Sequence, residues 1–373
     1  MSRILVTGAC GFVGPSVCNL GVLMGHEVFG TDIGTRYKGY LNPKVKLKLG
    51  VDIRNIDSIA GYIEEIKPDI ILHVAAYFKY HGPWSVYESI NVLGTKNVLL
   101  GALKIPNLKR VVVWSSGSVL GATFRGAGHL DERAAAKPRS FYEESKLVAE
   151  ELALQYRDRV PITIIRPAAI YGSGIEYGGP AGTYGALRVI QMLFKNQLSG
   201  IPGNGKNKIS FIHVEDIARV AYFLAETKEA IGEIYNVADR SEYPLEELVP
   251  YIAHWIKTHG IPVDFTPKIH IPVPVIYLLG LWCETLAKIQ KREPAVERPF
   301  LNFFRNGYHF LMSNEKLDRL IQDKPVIKYR DIIKDGGMDH NLEWYRKEMV
   351  CESGCHSRES GNPGIPVSTE MTT

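Results

Sequence analysis

The sequence predicts an α/β fold: a parallel sheet wound on both faces by helices, followed by a smaller, mostly helical C-terminal lobe. Three observations support this prediction. Short apolar runs alternate with amphipathic segments of helical period through the first two-thirds of the chain, the first run ends in a glycine-rich turn, and the alternation loosens after Arg166. Such an alternation of strands and helices is typical of a parallel sheet covered on both faces.

The elements follow from apolar runs and their period. Short continuous apolar runs predict buried strands. At 45–49 apolar residues alternate with lysines, which predicts a strand with one solvent-exposed face. The predicted strands are 3–7, 27–31, 45–49, 69–74, 110–115 and 162–166, with 233–237 returning to the sheet. The predicted helices between them are 12–24, 56–66, 89–103 and 141–156. Glycine and proline are dense at 172–185 and 200–205, which predicts loops over a pocket.

Composition and charge restrict the class of protein. The chain has 373 residues, 45% apolar and 23% charged, as is usual for a soluble globular enzyme. Its net charge is +4 and its cations are scattered, so nucleic acid is not an expected partner. Five irregularly spaced cysteines imply no disulfide framework, and no metal site is predicted. The first strand follows Met1-Ser2 without a signal sequence, so we expect a cytoplasmic protein.

The turn after the first strand carries glycines at 8, 11 and 14. Glycines at this spacing allow a tight turn, close approach of a pyrophosphate, and close packing of the next helix, whose N-terminus binds the phosphates. Asp32 lies at the end of the second strand, where an acid meets the ribose hydroxyls and disfavours a 2′-phosphate. The pattern therefore predicts NAD. Arg36 leaves NADP open, and a turn-capping role is the alternative for Asp32.

Tyr142 and Lys146 are the candidate reactive pair. They stand four residues apart on one predicted helix and hence on one face. A free tyrosine has a pKa of ~10 and is a poor base at neutral pH, but a nearby ammonium stabilises the phenolate. The alternative for this spacing alone is an ordinary surface tyrosine with an adjacent lysine.

These motifs, taken in order, resemble the extended short-chain dehydrogenase/reductases, also called the NAD-dependent epimerase/dehydratase family. Residues 7–14 are similar to its T-G-x-x-G-x-x-G turn, 91–97 to its N-x-x-G-T-x-N helix, and 166–172 to its R-P-x-x-x-Y-G segment. The resemblance covers about 3 to 345. It implies a Rossmann-type cofactor domain at 1–172 and a substrate lobe at 173–349. Residues 350–373 lack apolar periodicity, which predicts a disordered tail.

The resemblance also implies roles for single residues. Ser115-Ser116-Gly117-Ser118-Val119-Leu120-Gly121 looks like the family's S-S-x-x-V-Y-G strand end, which places Ser116 on the substrate oxygen and leaves Ser118 as the second candidate. The implied catalytic set is Ser116, Tyr142 and Lys146. The implied cofactor contacts are Gly8, Gly11, Phe12, Val13, Gly14, Asp32, Asp52, Ile53, Ala75, Tyr142, Lys146, Pro167 and Ile170.

Several sequence features bear on the class of substrate that the family resemblance implies. The chain lacks the Asp-Glu that dehydratases carry after the strand-end hydroxyl, and Ile209 stands where nucleotide-sugar enzymes typically have a diphosphate-binding arginine, although Lys206 or Lys208 could substitute. The run at 203–207 is similar to the 3-beta-hydroxysteroid dehydrogenase branch, which implies a steroid- or lipid-like secondary alcohol. The apolar stretch at 271–283 is predicted to be a packed helix of the substrate lobe, with peripheral contact to a membrane surface as the alternative.

Two other functions remain open. A nucleotide-sugar 4-epimerase uses the same tyrosine, lysine and hydride but returns the hydride to the other face of the substrate. A dinucleotide-sensing protein without turnover would use the fold alone. The resemblance further implies a homodimer formed through two helices, one of which carries Tyr142 and Lys146.

Overall fold

The computed structural model describes residues 1–79, 82–124, 128–183, 189–290, 301–322, 327 and 329–354. Its strands are β1 Arg3–Thr7, β2 Glu27–Asp32, β3 Lys46–Leu49, β4 Ile70–His73, β5 Arg110–Trp114, β6 Thr123–Phe124, β7 Ile162–Pro167, β8 Ala169–Gly174, β9 Gly179–Thr183, β10 Ile201–Pro202, β11 Phe211–His213, β12 Ile234–Val237, β13 His270–Ile271 and β14 Tyr308–His309. Its helices are α1 Gly14–Leu23, α2 Ile56–Ile66, α3 Trp84–Tyr87, α4 Gly94–Ala102, α5 Phe141–Leu154, α6 Val189–Phe194, α7 Val214–Glu226, α8 Leu245–Thr258, α9 Val273–Ile289, α10 Glu315–Ile321 and α11 Gly337–Gly354.

The main sheet has seven parallel strands in the order β3-β2-β1-β4-β5-β7-β12. Successive residues of a strand face opposite sides of a sheet. Ile4 and Val6 accordingly pack into the layer that holds α1 and α7, whereas Leu5 packs into the layer of α2 and α4. The predicted doubly wound fold is therefore confirmed. The strand order reverses between β1 and β4, and ligands of such sheets bind at the carboxyl ends of the strands that flank the reversal.

The stretch predicted as loops at 172–185 contains two strands instead. β8 and β9 pair antiparallel, and β11 pairs with β8 in parallel, which makes a second sheet of three strands. Glycine weakens strands in general, and the sequence pattern therefore favoured loops. Here glycine permits close packing, because a Cβ on Gly182 would lie 2.6 Å from the ring of Phe12.

Two predicted helices have other bounds. α1 begins at Gly14 rather than at residue 12, because Phe12 and Val13 belong to the glycine turn. The helix predicted to start at 89 begins with α3 and passes through a π-helical turn at Glu88–Leu93 before α4. α11 runs to Gly354, past the predicted start of the tail at 350, and the rest of that tail, 355–373, lies outside the described residues.

The apolar stretch at 271–283 forms the first part of α9. The expectation of a packed helix is wrong for its outer face: only Gly280 and Ala287 of α9 are buried, and several of its large apolar side chains are exposed. None of the helices in the described part of the chain is long and apolar enough to cross a bilayer.

Candidate active site

A cavity of about 320 Å³ lies at the carboxyl ends of β1, β2, β4, β5 and β7, where the strand order reverses. Twelve of the thirteen predicted cofactor contacts line it, and so do Ser116 and Ser118. The exception is Gly14, the first residue of α1, which packs against the backbone of the glycine turn. The fold thus places around one cavity residues that lie as far apart in the sequence as Gly8 and Ile170.

The three glycines of the turn meet different constraints. Gly8 has a φ of +73°, which favours glycine, and a Cβ on it would lie 2.8 Å from the backbone of Ala75. A Cβ on Gly14 would lie 2.2 Å from the carbonyl oxygen of Gly8. A Cβ on Gly11 would have only that same oxygen within 4 Å, at 3.3 Å, and would otherwise extend into open space. Gly14 therefore lets the helix approach the turn, while Gly11 keeps the cavity open.

The start of α1 fits an anionic group. No side chain caps this helix, and its N-cap residue Val13 lines the cavity. The first N–H groups of an α-helix lack partners within the helix and bind phosphates readily. The open space at Gly11 and this uncapped N-terminus are what a dinucleotide pyrophosphate requires.

Asp32 caps two backbone N–H groups, and its position also agrees with the predicted contact to a ribose. It lines the cavity at the end of β2. One oxygen accepts the N–H of Cys10 at 2.9 Å and the other accepts the N–H of Gly34, also at 2.9 Å. Its carboxylate is therefore held in place beside the glycine turn. Arg36 lies over the ring of Tyr37 at 4.9 Å and is not part of the cavity wall, which favours a ribose hydroxyl over a phosphate at Asp32.

The neighbouring wall carries Asp52, Ile53 and Arg54, of which the sequence reasoning missed Arg54. The Arg54 guanidinium lies 2.6 Å from the Asp52 carboxylate. Partial burial works to raise the pKa of Asp52, but the hydrogen bonds from Arg54 outweigh it and leave the pKa below its ordinary value. Asp52 is therefore ionised and paired, and the nearby charge on Arg54 is neutralised.

The ends of β1 and β4 are joined by a buried histidine. His73 Nδ1 lies 2.8 Å from the hydroxyl of Thr7, and its Nε2 lies 3.1 Å from the hydroxyl of Thr95. Burial, with a smaller contribution from the charge of Lys146, lowers the pKa of His73 to about 3. The ring is therefore neutral and positions the strand ends beneath the cofactor site, where Ala75 donates its N–H to Thr7 at 3.3 Å.

Tyr142 and Lys146 lie on α5, whose first residue follows an N-terminal serine cap. The hydroxyl of Ser140 accepts the N–H of Glu143 at 3.2 Å, which caps α5 one residue before Phe141. Tyr142 and Lys146 both line the cavity. Tyr142 meets Phe78 edge to face, with ring centroids 4.7 Å apart.

Lys146 is buried, with 3% of its surface exposed. Burial lowers its pKa to about 8, and the carboxylate of Glu150 partly opposes that effect. The amine is still mostly protonated at neutral pH, so its positive charge is available beside Tyr142.

Ser116 caps the short 3-10 helix Gly117–Leu120 at the end of β5. Its hydroxyl lies 2.8 Å from that of Ser118, so the two candidate hydroxyls form one hydrogen-bonded pair. Ser115 is already used, because it hydrogen-bonds the carboxylate of Glu150 rather than the backbone. Glu150 also pairs with the guanidinium of Arg166 at 2.7 Å, and both are buried.

The C-terminal lobe completes the wall with aromatic side chains that the sequence reasoning did not find. Phe303, Tyr308 and Phe310 line the cavity, together with Phe78 from the core domain. β14 carries Tyr308 and is placed by antiparallel pairing with β6. Phe310 is placed by a bridge to Ile209.

The same wall is poor in positive charge. Among the described residues that line the cavity, the cationic side chains are Arg54, paired with Asp52, and Lys146, beside Tyr142. Lys208 lies 4.0 Å from Glu242 and is not part of the wall, and neither is Lys206. Ile209 is itself buried in the core. No group of three or more potential metal ligands occurs in the described part of the chain.

Residues 4–238 match the model of the NAD dependent epimerase/dehydratase family. The chain belongs to this family, as the sequence motifs predicted. Family membership, the NAD-type turn and the acid at position 32 agree on NAD as the cofactor. The reaction type varies within the family, whose members include dehydrogenases, epimerases and decarboxylases.

Particular relatives belong to two substrate classes. A Methanocaldococcus jannaschii protein with a provisional UDP-glucose 4-epimerase name is 31% identical over 274 residues, covering 71% of this chain and 86% of the relative. The sterol-4-alpha-carboxylate 3-dehydrogenase (decarboxylating) of Bos taurus is 25% identical over 281 residues, 72% of each chain. The crystal structure of UDP-glucuronic acid 4-epimerase from Bacillus cereus with UDP-glucuronic acid and NAD has a TM-score of 0.68 at 21% identity, covering 93% of this chain and 99% of that one. At this identity, the similarity to the Bacillus cereus structure shows a shared fold only.

Proposed function

We propose that this chain is an NAD-dependent dehydrogenase that oxidises a secondary alcohol on a steroid-like or other lipid-like substrate. The observation that carries the proposal is the wall of Phe78, Phe303, Tyr308 and Phe310 facing the cavity of Tyr142. Aromatic side chains bind flat apolar ring systems well. A diphosphate, in contrast, needs cations. The described wall has none besides Arg54, which is paired with Asp52, and Lys146.

The proposed chemistry assigns one role to each polar side chain. Tyr142, as the phenolate, accepts the proton of the substrate hydroxyl. The Lys146 ammonium stabilises that phenolate, and the hydroxyl of Ser116 donates a hydrogen bond to the oxygen that becomes a carbonyl. Bound NAD would supply the hydride acceptor for the carbinol carbon. The residues that would hold it are the glycine turn, Asp32 and the segments around Asp52, Ala75 and Pro167–Ile170.

Replacing Tyr142 tests the assignment. Tyr142→Phe removes the proton acceptor but keeps the ring, so turnover should fall by ~10²–10⁴-fold while NAD binding is retained. Tyr156→Phe is the matched control, because Tyr156 lies beyond the C-terminal end of the same helix and does not line the cavity. Turnover should be followed by NADH absorbance over a panel of sterols, long-chain secondary alcohols and UDP-sugars. Equal turnover in Tyr142→Phe and the wild type would refute the role.

A UDP-sugar 4-epimerase is the second candidate, favoured by the 31% identity to the Methanocaldococcus jannaschii relative. The two reactions differ in their net result. The dehydrogenase accumulates NADH in step with the ketone, whereas the epimerase inverts C4 of a UDP-sugar and accumulates none. Bound NAD without turnover on either substrate class would instead favour the sensor. Mass spectrometry of molecules that co-purify with the chain gives an independent answer.

The homodimer remains a prediction, with α5 as one of its two helices. Light scattering on the purified chain measures its mass in solution directly. A monomer at concentrations that support activity would exclude a dimer as the active form.

A further inference from the structure

The outer face of α9 carries a strip of apolar side chains. Its exposed large apolar members are Val275 at 45%, Leu278 at 66%, Leu279 at 56%, Leu281 at 46%, Trp282 at 62% and Ile289 at 73%, with the exposed Thr285 between the last two. Intervals of three, four and seven residues place these side chains on one side of a helix. At 1.5 Å per residue, the 17 residues of α9 extend over about 25 Å. Single exposed apolar residues are ordinary, but a contiguous strip marks an interaction surface.

Lysines lie near both ends of α9 in the sequence. Within α9 the ionisable side chains other than Tyr277 and Cys283 are Glu284 and Lys288. Lys288 is exposed in the last turn, and Lys268 is exposed shortly before the helix begins. An apolar helix face flanked by lysines has the pattern of a helix that lies in the plane of a membrane surface. Tryptophan is also favoured at the boundary between headgroups and acyl chains.

We propose that α9 docks flat on an anionic lipid bilayer, with Leu278, Leu279 and Trp282 inserted at the headgroup boundary. Lys268 and Lys288 then lie against the headgroups. The proposal is independent of the reaction, because it concerns an outer surface of the protein. α9 lies on the surface rather than across the bilayer, since it is too short to span it.

A second copy of the chain is the other occupant to consider, and the observations disfavour it. A strip one helix wide and about 25 Å long offers roughly 250 Å² of footprint. Stable protein interfaces bury about 800 Å² on each partner. Two strips placed together, parallel or antiparallel, would also bring the lysines of one copy near those of the other, whereas anionic lipids neutralise these lysines.

The inner side of α9 connects this surface to the active-site wall. The hydroxyl of Tyr277 donates a hydrogen bond to Asn302. The next residue, Phe303, lines the cavity. A bilayer under α9 would therefore lie close to the aromatic wall, where a lipid-like substrate is proposed to bind. This last link rests on the proposed function, and the docking itself does not.

Vesicle co-sedimentation tests the docking without any substrate. The full-length chain is mixed with vesicles of phosphatidylcholine and phosphatidylserine in equal parts, or of phosphatidylcholine alone. The wild type should bind the mixed vesicles, and Leu278→Glu/Trp282→Glu should weaken this binding by about tenfold or more. Leu23→Glu is the matched control, because Leu23 is 60% exposed at the end of α1, and it should bind like the wild type. Lys268→Glu/Lys288→Glu should weaken binding to the mixed vesicles and have little effect with phosphatidylcholine alone.

A second measurement covers the case in which the glutamate variant fails to fold. Vesicles with brominated acyl chains should quench the tryptophan fluorescence of the wild type, and Trp282→Phe should lose most of that quenching. Absence of wild-type binding to the mixed vesicles would overturn the proposal, and so would equal binding by a folded Leu278→Glu/Trp282→Glu variant. A fall in solution mass caused by that variant would also overturn it, because a second copy would then cover the strip.

Discussion

Alanine at Gly14 and at Gly11 should separate the two tasks of the glycine turn. A Cβ on Gly14 would lie 2.2 Å from the oxygen of Gly8 and 2.6 Å from the carbonyl of Ala9, both backbone atoms that cannot rotate away. Overpacking of this kind costs ~1–3 kcal/mol. An unfolding entropy of ~2.1 cal/mol/K per residue converts that cost into a lower melting temperature, by about 1–4 °C for this chain. Gly14→Ala should therefore destabilise the protein even without NAD.

Gly11→Ala should show the opposite pattern. Its Cβ would meet only the oxygen of Gly8, at 3.3 Å, so a shift of a few tenths of an ångström accommodates it and the melting temperature without NAD should stay within about 1 °C. The same methyl group extends into the cavity where the pyrophosphate is expected. NAD affinity should therefore fall at least tenfold, which is ~1.4 kcal/mol.

Calorimetry measures both quantities on protein stripped of nucleotide: scanning calorimetry gives the melting temperature, and titration gives the dissociation constant of NAD. The reasoning fails if Gly14→Ala melts like the wild type. It also fails if Gly11→Ala binds NAD normally, because the open side of Gly11 would then not face the cofactor.

Two further predictions concern the buried charges behind the cavity. Glu150→Gln should lower the free energy of unfolding by about 3–5 kcal/mol, because it leaves the buried guanidinium of Arg166 without its carboxylate. Adding Arg166→Gln in the same chain should recover part of that loss, and urea unfolding measures both effects. The pKa of Lys146 is about 8 in the folded chain, against an ordinary lysine value of 10.5, so the unfolded state binds more protons between these values and stability should rise with pH across that window. Urea unfolding of the wild type and Lys146→Met from pH 8 to 10 measures this rise as a difference in slope, and parallel slopes would contradict the burial of a titrating Lys146.

The cofactor side of the site was predictable because each of its segments is local. Gly8 and Asp32 lie at the ends of strands that short apolar runs reveal, and Gly11 lies in the turn that follows the first of them. Parallel strands bring their carboxyl ends to one edge of the sheet. The hairpin of β8 and β9 was missed because glycine normally weakens strands, whereas here Gly182 is needed for contact with Phe12. Arg54 was missed for a different reason: its position depends on a contact with Asp52 that no motif records.

The substrate side depends on contacts between distant parts of the chain. Tyr308 and Phe310 stand two residues apart, as on one face of a strand, but no motif marks that face or Phe303 as a cavity wall. They reach the cavity that Tyr142 lines because β14 pairs with β6 and because Phe310 bridges to Ile209, a separation of about a hundred residues or more in each case. Pairings at such distance are set by the tertiary structure and not by local sequence.

The absence of an arginine at 209 and the aromatic wall are two separate observations on the substrate. Ile209 is 1% exposed and packs in the core, so an arginine there would have to displace core side chains before its guanidinium could reach the cavity. Exchanging Ile209 alone would therefore not create a diphosphate site. The wall formed by Phe303, Tyr308 and Phe310 faces the cavity directly, and it favours an apolar substrate whichever residue occupies 209. The choice between alcohol dehydrogenase and sugar-nucleotide epimerase accordingly depends on this wall more than on the motif that first suggested it.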